Sequence, residues 1–195
     1  RRPSQFGNAP CFILVLEHPQ NGNQTLICQF KHYYVIKQLI FKKQDEAFPI
    51  SNGMKIYSWN ILFRNRELDR AFEFIAESNF DIFCLQETKA NPDQLSEEFL
   101  SPAGYSAFFS SCQIKKGYSG VALYSKVEPL KVIYGMGIKE FDQEGRLVGA
   151  EYEDFWLLNA YFPNGGRGPE RIDYKLRFYD AFLTFVQKLN KKKPV

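Results

Sequence analysis

Glu87 is the residue around which the chemistry of this chain gathers. It follows the run Asp81-Ile82-Phe83-Cys84-Leu85-Gln86, which reads as a buried strand bounded by Asn79 before it and Asn91-Pro92 after it. A carboxylate at the tip of a buried strand can enter a cleft from a rigid mount without carrying its charge through the core. Mg²⁺ suits such a position, because it takes one or two protein carboxylates and fills its shell with water and phosphate oxygens. A polar turn after a strand is the plain alternative, and on this stretch alone it is the better one. Three other stretches end in residues that fit the same site. Asn60 closes a strand at Ser58-Trp59-Asn60, and Tyr118 lies in the glycine-bounded turn Gly117-Tyr118-Ser119-Gly120. Tyr161, Asn164 and Arg167 leave a third strand through Phe162-Pro163 and Gly165-Gly166. The asparagines offer donors and acceptors without charge. The paired glycines allow a close approach of backbone to a ligand.

The elements that must hold these residues are legible as periodicities. Lys55 to Trp59 alternates as a strand. Leu68, Ala71, Phe72, Ile75 and Ala76 follow helical spacing, with Asn79 as the stop. Asp93 to Leu100 is expected as a short helix. Strands are expected at Tyr105–Phe109, Val121–Tyr124, Leu130–Tyr134, Leu147–Tyr152 and Phe155–Tyr161, with a hairpin turn at Glu153-Asp154. Pro169 opens a long helix with a stripe at Ile172, Leu176, Tyr179, Leu183, Val186 and Leu189. Strands joined partly by helices and partly by hairpins predict an α/β fold with a mixed sheet.

Bulk properties narrow the classes. The 195 residues suit one domain, and 45% apolar residues suffice for a sizeable core. Of the 25 Lys+Arg and 22 Asp+Glu, residues 1–53 hold six and three, which leaves nineteen of each in residues 54–195. A neutral body makes no electrostatic case for nucleic acid by itself. Cys11, Cys28, Cys84 and Cys112 show no paired spacing, so a reducing compartment is expected and the cytoplasm is the default. No apolar run approaches the ~20 residues of a membrane span, so no membrane partner is expected. His18 and His32, fourteen apart, do not make a metal pair. Residues 1–53 carry β-prone runs at Phe12–Leu16 and Tyr33–Phe41 but no site, and end in the breaker cluster Pro49 to Gly53 before Met54. They read as an extension, native or read through from upstream of a start at Met54, ahead of a domain over 54–195.

Taken in order, Ser58-Trp59-Asn60, Leu85-Gln86-Glu87-Thr88-Lys89, Gly117 to Leu123, Glu144-Gly145-Arg146 and Asn159 to Arg167 resemble the exodeoxyribonuclease III type of apurinic/apyrimidinic endonuclease. That type belongs to the endonuclease/exonuclease/phosphatase superfamily. The resemblance implies a four-layer, DNase I-like α/β sandwich with two mixed sheets face to face. It implies Mg²⁺- or Mn²⁺-dependent hydrolysis of the DNA phosphodiester 5′ to an abasic site, with 3′–5′ exonuclease and 3′-phosphatase activities beside it. The partner would be double-stranded DNA with abasic sites or 3′ ends, met by a monomer. Carried over by position, Glu87 is the metal ligand, and Tyr161, Asn60 and Asn164 are catalytic. Arg167, Tyr118 and Lys89 contact DNA.

Two departures accompany the resemblance. After Asn60 the family continues with a small or polar residue, a glycine and a basic residue, whereas this chain reads Ile61-Leu62-Phe63-Arg64. The family's Gly-Asp-x-Asn motif and its Asp-His pair have no counterpart before Val195. The expectation is therefore the front half of such a domain, holding one sheet with its packing face uncovered and having little activity alone. Two other functions fit parts of the pattern: a superfamily phosphatase or phosphodiesterase on a small phosphorylated substrate, and a non-catalytic DNA-binding remnant.

Overall fold

Strand alternation sends successive side chains to opposite faces, and here it assigns each of three cores to its own layer. The computed structural model describes residues 11–13, 27–28, 54–61, 80–166 and 168–195. Nine strands are described: β1 Cys11–Ile13, β2 Ile27–Cys28, β3 Ile56–Asn60, β4 Ile82–Gln86, β5 Ser106–Ser110, β6 Val121–Ser125, β7 Lys131–Tyr134, β8 Leu147–Glu151 and β9 Trp156–Tyr161. One sheet runs β2-β3-β4-β6-β5 and the other β1-β9-β8-β7. The first sheet mixes parallel pairs, β2 with β3 and β3 with β4, with antiparallel pairs of β6 to β4 and β5. The described pairs of the second sheet are all antiparallel.

The sheets face each other. Ile56, Ile82, Cys84, Val121 and Leu123 from the first meet Val148, Ala150 and Leu157 from the second in one buried cluster. The alternate residues of the first sheet, Tyr57, Phe83, Leu85, Ala122 and Tyr124, form a second cluster on its other face. The alternate residues of the second sheet, Leu147, Trp156, Leu158 and Ala160, pack on the long helix. The α/β sandwich expected from the sequence is thus present. The expectation of a single sheet with a bare packing face is corrected: strands between 131 and 161 build the second sheet and cover it. The reason is topological. The chain finishes the described strands of one sheet before it starts the β7-β8-β9 meander, and periodicity alone does not reveal that change of sheet.

Three α-helices are described: α1 Glu97–Leu100, α2 Lys139–Asp142 and α3 Pro169–Asn190. The expected helix over 93–100 divides into a 3-10 turn at Pro92–Gln94 and α1. The helical pattern at 68–76 lies outside the described residues. Pro169 does open α3, where its missing N–H costs no bond. The buried face of α3 keeps Val186 of the expected stripe, with Tyr179 and Leu189 packed against the core, and departs from it in the first turns. Tyr174, Phe178 and Val186 are buried, whereas Ile172 and Leu176 stay 49% and 55% exposed. Aromatic packing decides it. Phe162 meets Phe178, Tyr179 and Phe182 with ring centroids 5.4, 5.1 and 4.9 Å away, all edge-on. Such pairs add about 0.5–1.5 kcal/mol each beyond burial.

Candidate active site

A polar bridge crosses the apolar space between the sheets. Gln86 ends β4 on the inter-sheet side, in line with Ile82 and Cys84, and is fully buried. Its amide donates to Asn159 Oδ1 at 2.7 Å and to Ser58 Oγ at 3.0 Å. Asn159, on β9, is equally buried and donates to the carbonyls of Leu85 at 3.0 Å and Ala122 at 2.7 Å. Those two residues lie opposite each other in the β4–β6 ladder. Asn159 therefore ties β9 to two strands of the facing sheet. Two residues further along β9 on the same face comes Tyr161, and one residue beyond Gln86 comes Glu87. The bridge fixes the distance between them.

Glu87, Lys89 and Ser119 all have positive φ, at 61°, 48° and 55°. Left-handed backbone at residues with a Cβ persists where surrounding bonds over-determine it. Here Thr88 N–H donates to the Gly120 carbonyl at 3.1 Å and Lys89 N–H to the Ser119 carbonyl at 2.8 Å. Gly120 has φ 90°, and a Cβ there would collide with the Thr88 hydroxyl. This paired loop places Glu87 near enough to Tyr161 for its charge to act on the phenol. Burial pushes the Tyr161 phenol well above the ordinary tyrosine value, and the Glu87 charge pushes it further, with Arg146 opposing. The phenol is thus a neutral O–H donor at ordinary pH. Lys89 Nζ stands 2.8 Å from Glu87 Oε1, with both side chains partly exposed.

A second charged group lies beside this one. Glu144 and Arg146 are buried at the entrance to β8, held apart by Gly145, whose φ is 63° and where a Cβ would strike the Ser111 backbone. Arg146 Nε donates to Glu144, and its Nη1 donates to the Tyr161 carbonyl at 2.9 Å. Arg171, in the first turn of α3, donates to both Glu144 oxygens at 3.0 and 2.9 Å. Both guanidinium groups also reach the Tyr118 hydroxyl, Arg146 at 3.1 Å and Arg171 at 2.7 Å. Burial opposes the Glu144 charge, but hydrogen bonding from Arg171 and the charge of Arg146 outweigh it and hold the carboxyl below its ordinary range. A lowered folded value contributes stability above the unfolded value near 4.5, lost as pH falls through the folded one. A Glu144→Gln chain is therefore expected to melt well below the unsubstituted chain at pH 7, with the gap narrowing as the pH falls below 4.5 and through the lowered folded value. Thermal midpoints across pH 3–8 check it. A gap that stays constant with pH refutes it.

The structure brings Glu87, Lys89, Tyr161 and Tyr118 together. Asn60 lies on the neighbouring strand, opposite Gln86 in the β3–β4 register and thus one residue from Glu87. Asn164 is exposed on the loop after β9, and its side-chain oxygen accepts the Gly166 N–H at 2.7 Å, a local turn. Arg167 lies outside the described residues. Sequence reasoning gave no role to Gln86, Asn159, Glu144, Arg146 or Arg171. Polar Asn159 inside an apolar strand was a usable signal, as was a charge pair leading into β8. Arg171 carried none.

The surroundings of Glu87 suit a hard cation. The oxygen donors beside it are the Tyr161 phenol and, on the next strand, Asn60, with the Thr88 and Ser119 hydroxyls buried without hydrogen-bond partners, while the Lys89 ammonium competes for the carboxylate. Among the described residues no three His, Cys, Asp or Glu gather, so a dedicated all-protein cage is not formed there. One carboxylate amid oxygen donors is what Mg²⁺ or Mn²⁺ accepts and what Zn²⁺ in a structural site does not.

Comparison with known proteins agrees with this architecture. An exodeoxyribonuclease of Bacillus subtilis (strain 168) is 43% identical over 145 residues, covering 73% of this chain and 56% of that protein. A DNA-(apurinic or apyrimidinic site) endonuclease of Dictyostelium discoideum is 38% identical over 154 residues, covering 77% and 42%. Among solved structures, a 3′ phosphatase of Neisseria bound to product DNA hairpin superposes with a TM-score of 0.63. It is 28% identical, covering 72% of this chain and 54% of that one. The chain spans about half the length of the curated relatives it matches. The model of the Endonuclease/Exonuclease/phosphatase family matches residues 57–194, and the chain, with its two facing sheets, belongs to that family.

Proposed function

We propose that this chain supplies the Glu87 side of the active site of a metal-dependent DNA repair nuclease, which hydrolyses the phosphodiester 5′ to abasic sites and also trims or dephosphorylates 3′ ends. The observation that carries the reading is that Glu87 and Tyr161 come from the ends of facing strands, near enough for the carboxylate charge to act on the phenol, in a chain 43% identical to an exodeoxyribonuclease. Glu87, with Asn60 beside it, would hold Mg²⁺ or Mn²⁺. When bound, the ion supplies charge neutralisation at the phosphate oxygens. Tyr161 donates its O–H to a non-bridging phosphate oxygen, consistent with its raised pKa. Asn164 and Arg167, which follow β9 in the sequence, reach the substrate. Lys89 and Tyr118 contact the backbone of double-stranded DNA.

The test is a chimera in which residues 54–195 replace the matching part of the Bacillus exodeoxyribonuclease. Mg²⁺-dependent incision of an abasic duplex, leaving a 3′-hydroxyl, is expected. A folded chimera that ignores DNA but turns over a small phosphodiester overturns the reading in favour of a phosphatase. The 195-residue chain by itself is expected to show little incision, because it spans about half the length of its relatives. Robust incision by the purified chain refutes that expectation.

A further inference from the structure

We infer that Arg171 is a positioning residue that makes the Tyr118 hydroxyl an obligate hydrogen-bond donor aimed at an anionic oxygen, here a DNA phosphate. The phosphate rests on the function proposed above. The locking of the hydroxyl does not.

A phenol oxygen has two acceptor lone pairs and one proton. Arg146 and Arg171 donate to the Tyr118 oxygen at 3.1 and 2.7 Å. Both lone pairs are taken, and only the proton is left to offer. Tyr118 stands in a turn of left-handed residues, between Gly117 at φ 69° and Ser119 at φ 55°, so its backbone is fixed as well. The guanidinium groups cannot leave. Glu144 accepts from both, Arg146 is also tied to the Tyr161 carbonyl, and Arg171 lies 4.1 Å over the Tyr174 ring. Two cations face one carboxylate, so the group carries one excess positive charge beside the hydroxyl. A donor proton backed by a cation is suited to an anion and poorly suited to a neutral donor. Arg171 comes from α3, 53 residues after Tyr118. It couples the helix that follows the Asn164 loop to the turn that carries the donor.

The experiment uses the chain labelled with 3-fluorotyrosine, with the Tyr118 ¹⁹F resonance assigned by its loss in Tyr118→Phe. In Arg171→Met the Tyr118 resonance is expected to move while those of buried Tyr124 and Tyr152 stay, and Arg171→Lys is expected to restore part of the shift. Binding to a duplex bearing a tetrahydrofuran abasic analogue is followed by anisotropy. Tyr118→Phe and Arg171→Met are each expected to weaken it about tenfold, and the double variant no further. An unmoved Tyr118 resonance in Arg171→Met, or losses that multiply in the double variant, overturns the inference. A wild-type chain that fails to bind DNA, with the resonance still moving, overturns the DNA reading and supports the positioning role.

Discussion

A Glu87→Gln chain is expected to lose at least about tenfold in Mn²⁺ affinity, and in the chimera on the order of 100-fold in Mg²⁺-dependent incision. Hard divalent ions bind carboxylate oxygens through charge, and an amide of the same shape supplies none. Lys89 adds to the effect. With Glu87 present, the ammonium 2.8 Å away leaves the pair neutral. With an amide in place of the carboxylate the ammonium remains, and the site turns repulsive to a cation. The Glu87 side chain is partly exposed and follows the end of a strand, so the fold should not move. Paramagnetic broadening of backbone NMR signals from Thr88 and Tyr161 by added Mn²⁺ reads the site directly. Equal broadening in both chains would exclude Glu87 as a ligand. Lys89→Met should shift the affinity the other way, since it deletes the competing cation.

Asn159→Leu is expected to destabilise the chain by about 2–3 kcal/mol. The substitution removes three buried hydrogen bonds at once, two to the ladder-paired carbonyls of Leu85 and Ala122 and one that leaves a Gln86 N–H unpaired. The unpaired N–H costs about 1–3 kcal/mol and each lost bond to a carbonyl about 0.5–1.5, while the added apolar surface returns about 1–2. A domain of this size loses roughly 2–4 °C in melting temperature per kcal/mol, so a fall on the order of 10 °C is the readout. The double variant Gln86→Leu/Asn159→Leu should cost less than the sum of the singles, because each removes a group that the other leaves unpaired. Strict additivity would mean that the two amides do not act as a bridge.

Much of the site was legible because its members lie at strand ends. The run 82–86, the alternation 56–60 and the run 156–161 are local patterns, and each leads to Asn60, Glu87 or Tyr161 by counting that needs no partner. What faces what was not legible. Asn159 finds Gln86 across 73 residues, and Arg171 finds Glu144 across 27. Neither periodicity nor spacing encodes a pairing between segments that meet only after two sheets have stacked. The face of α3 went the same way. A stripe through Ile172 and Leu176 satisfies helical spacing as well as one through Tyr174 and Phe178, and the aromatic pocket of Phe141 and Phe162 chooses between them.

The amino-acid sequence by itself determined most of the described elements from 54 to 195, their order and the family pattern, since strand and helix periods and motif spacing are properties of a chain read locally. Only the tertiary structure decided that the strands divide into two facing sheets and that Glu144 and two arginines gather behind Tyr118. Burial turns ordinary polar residues into fixed ones: a charge removed from water must find its partner, and which partner it meets depends on how the layers pack.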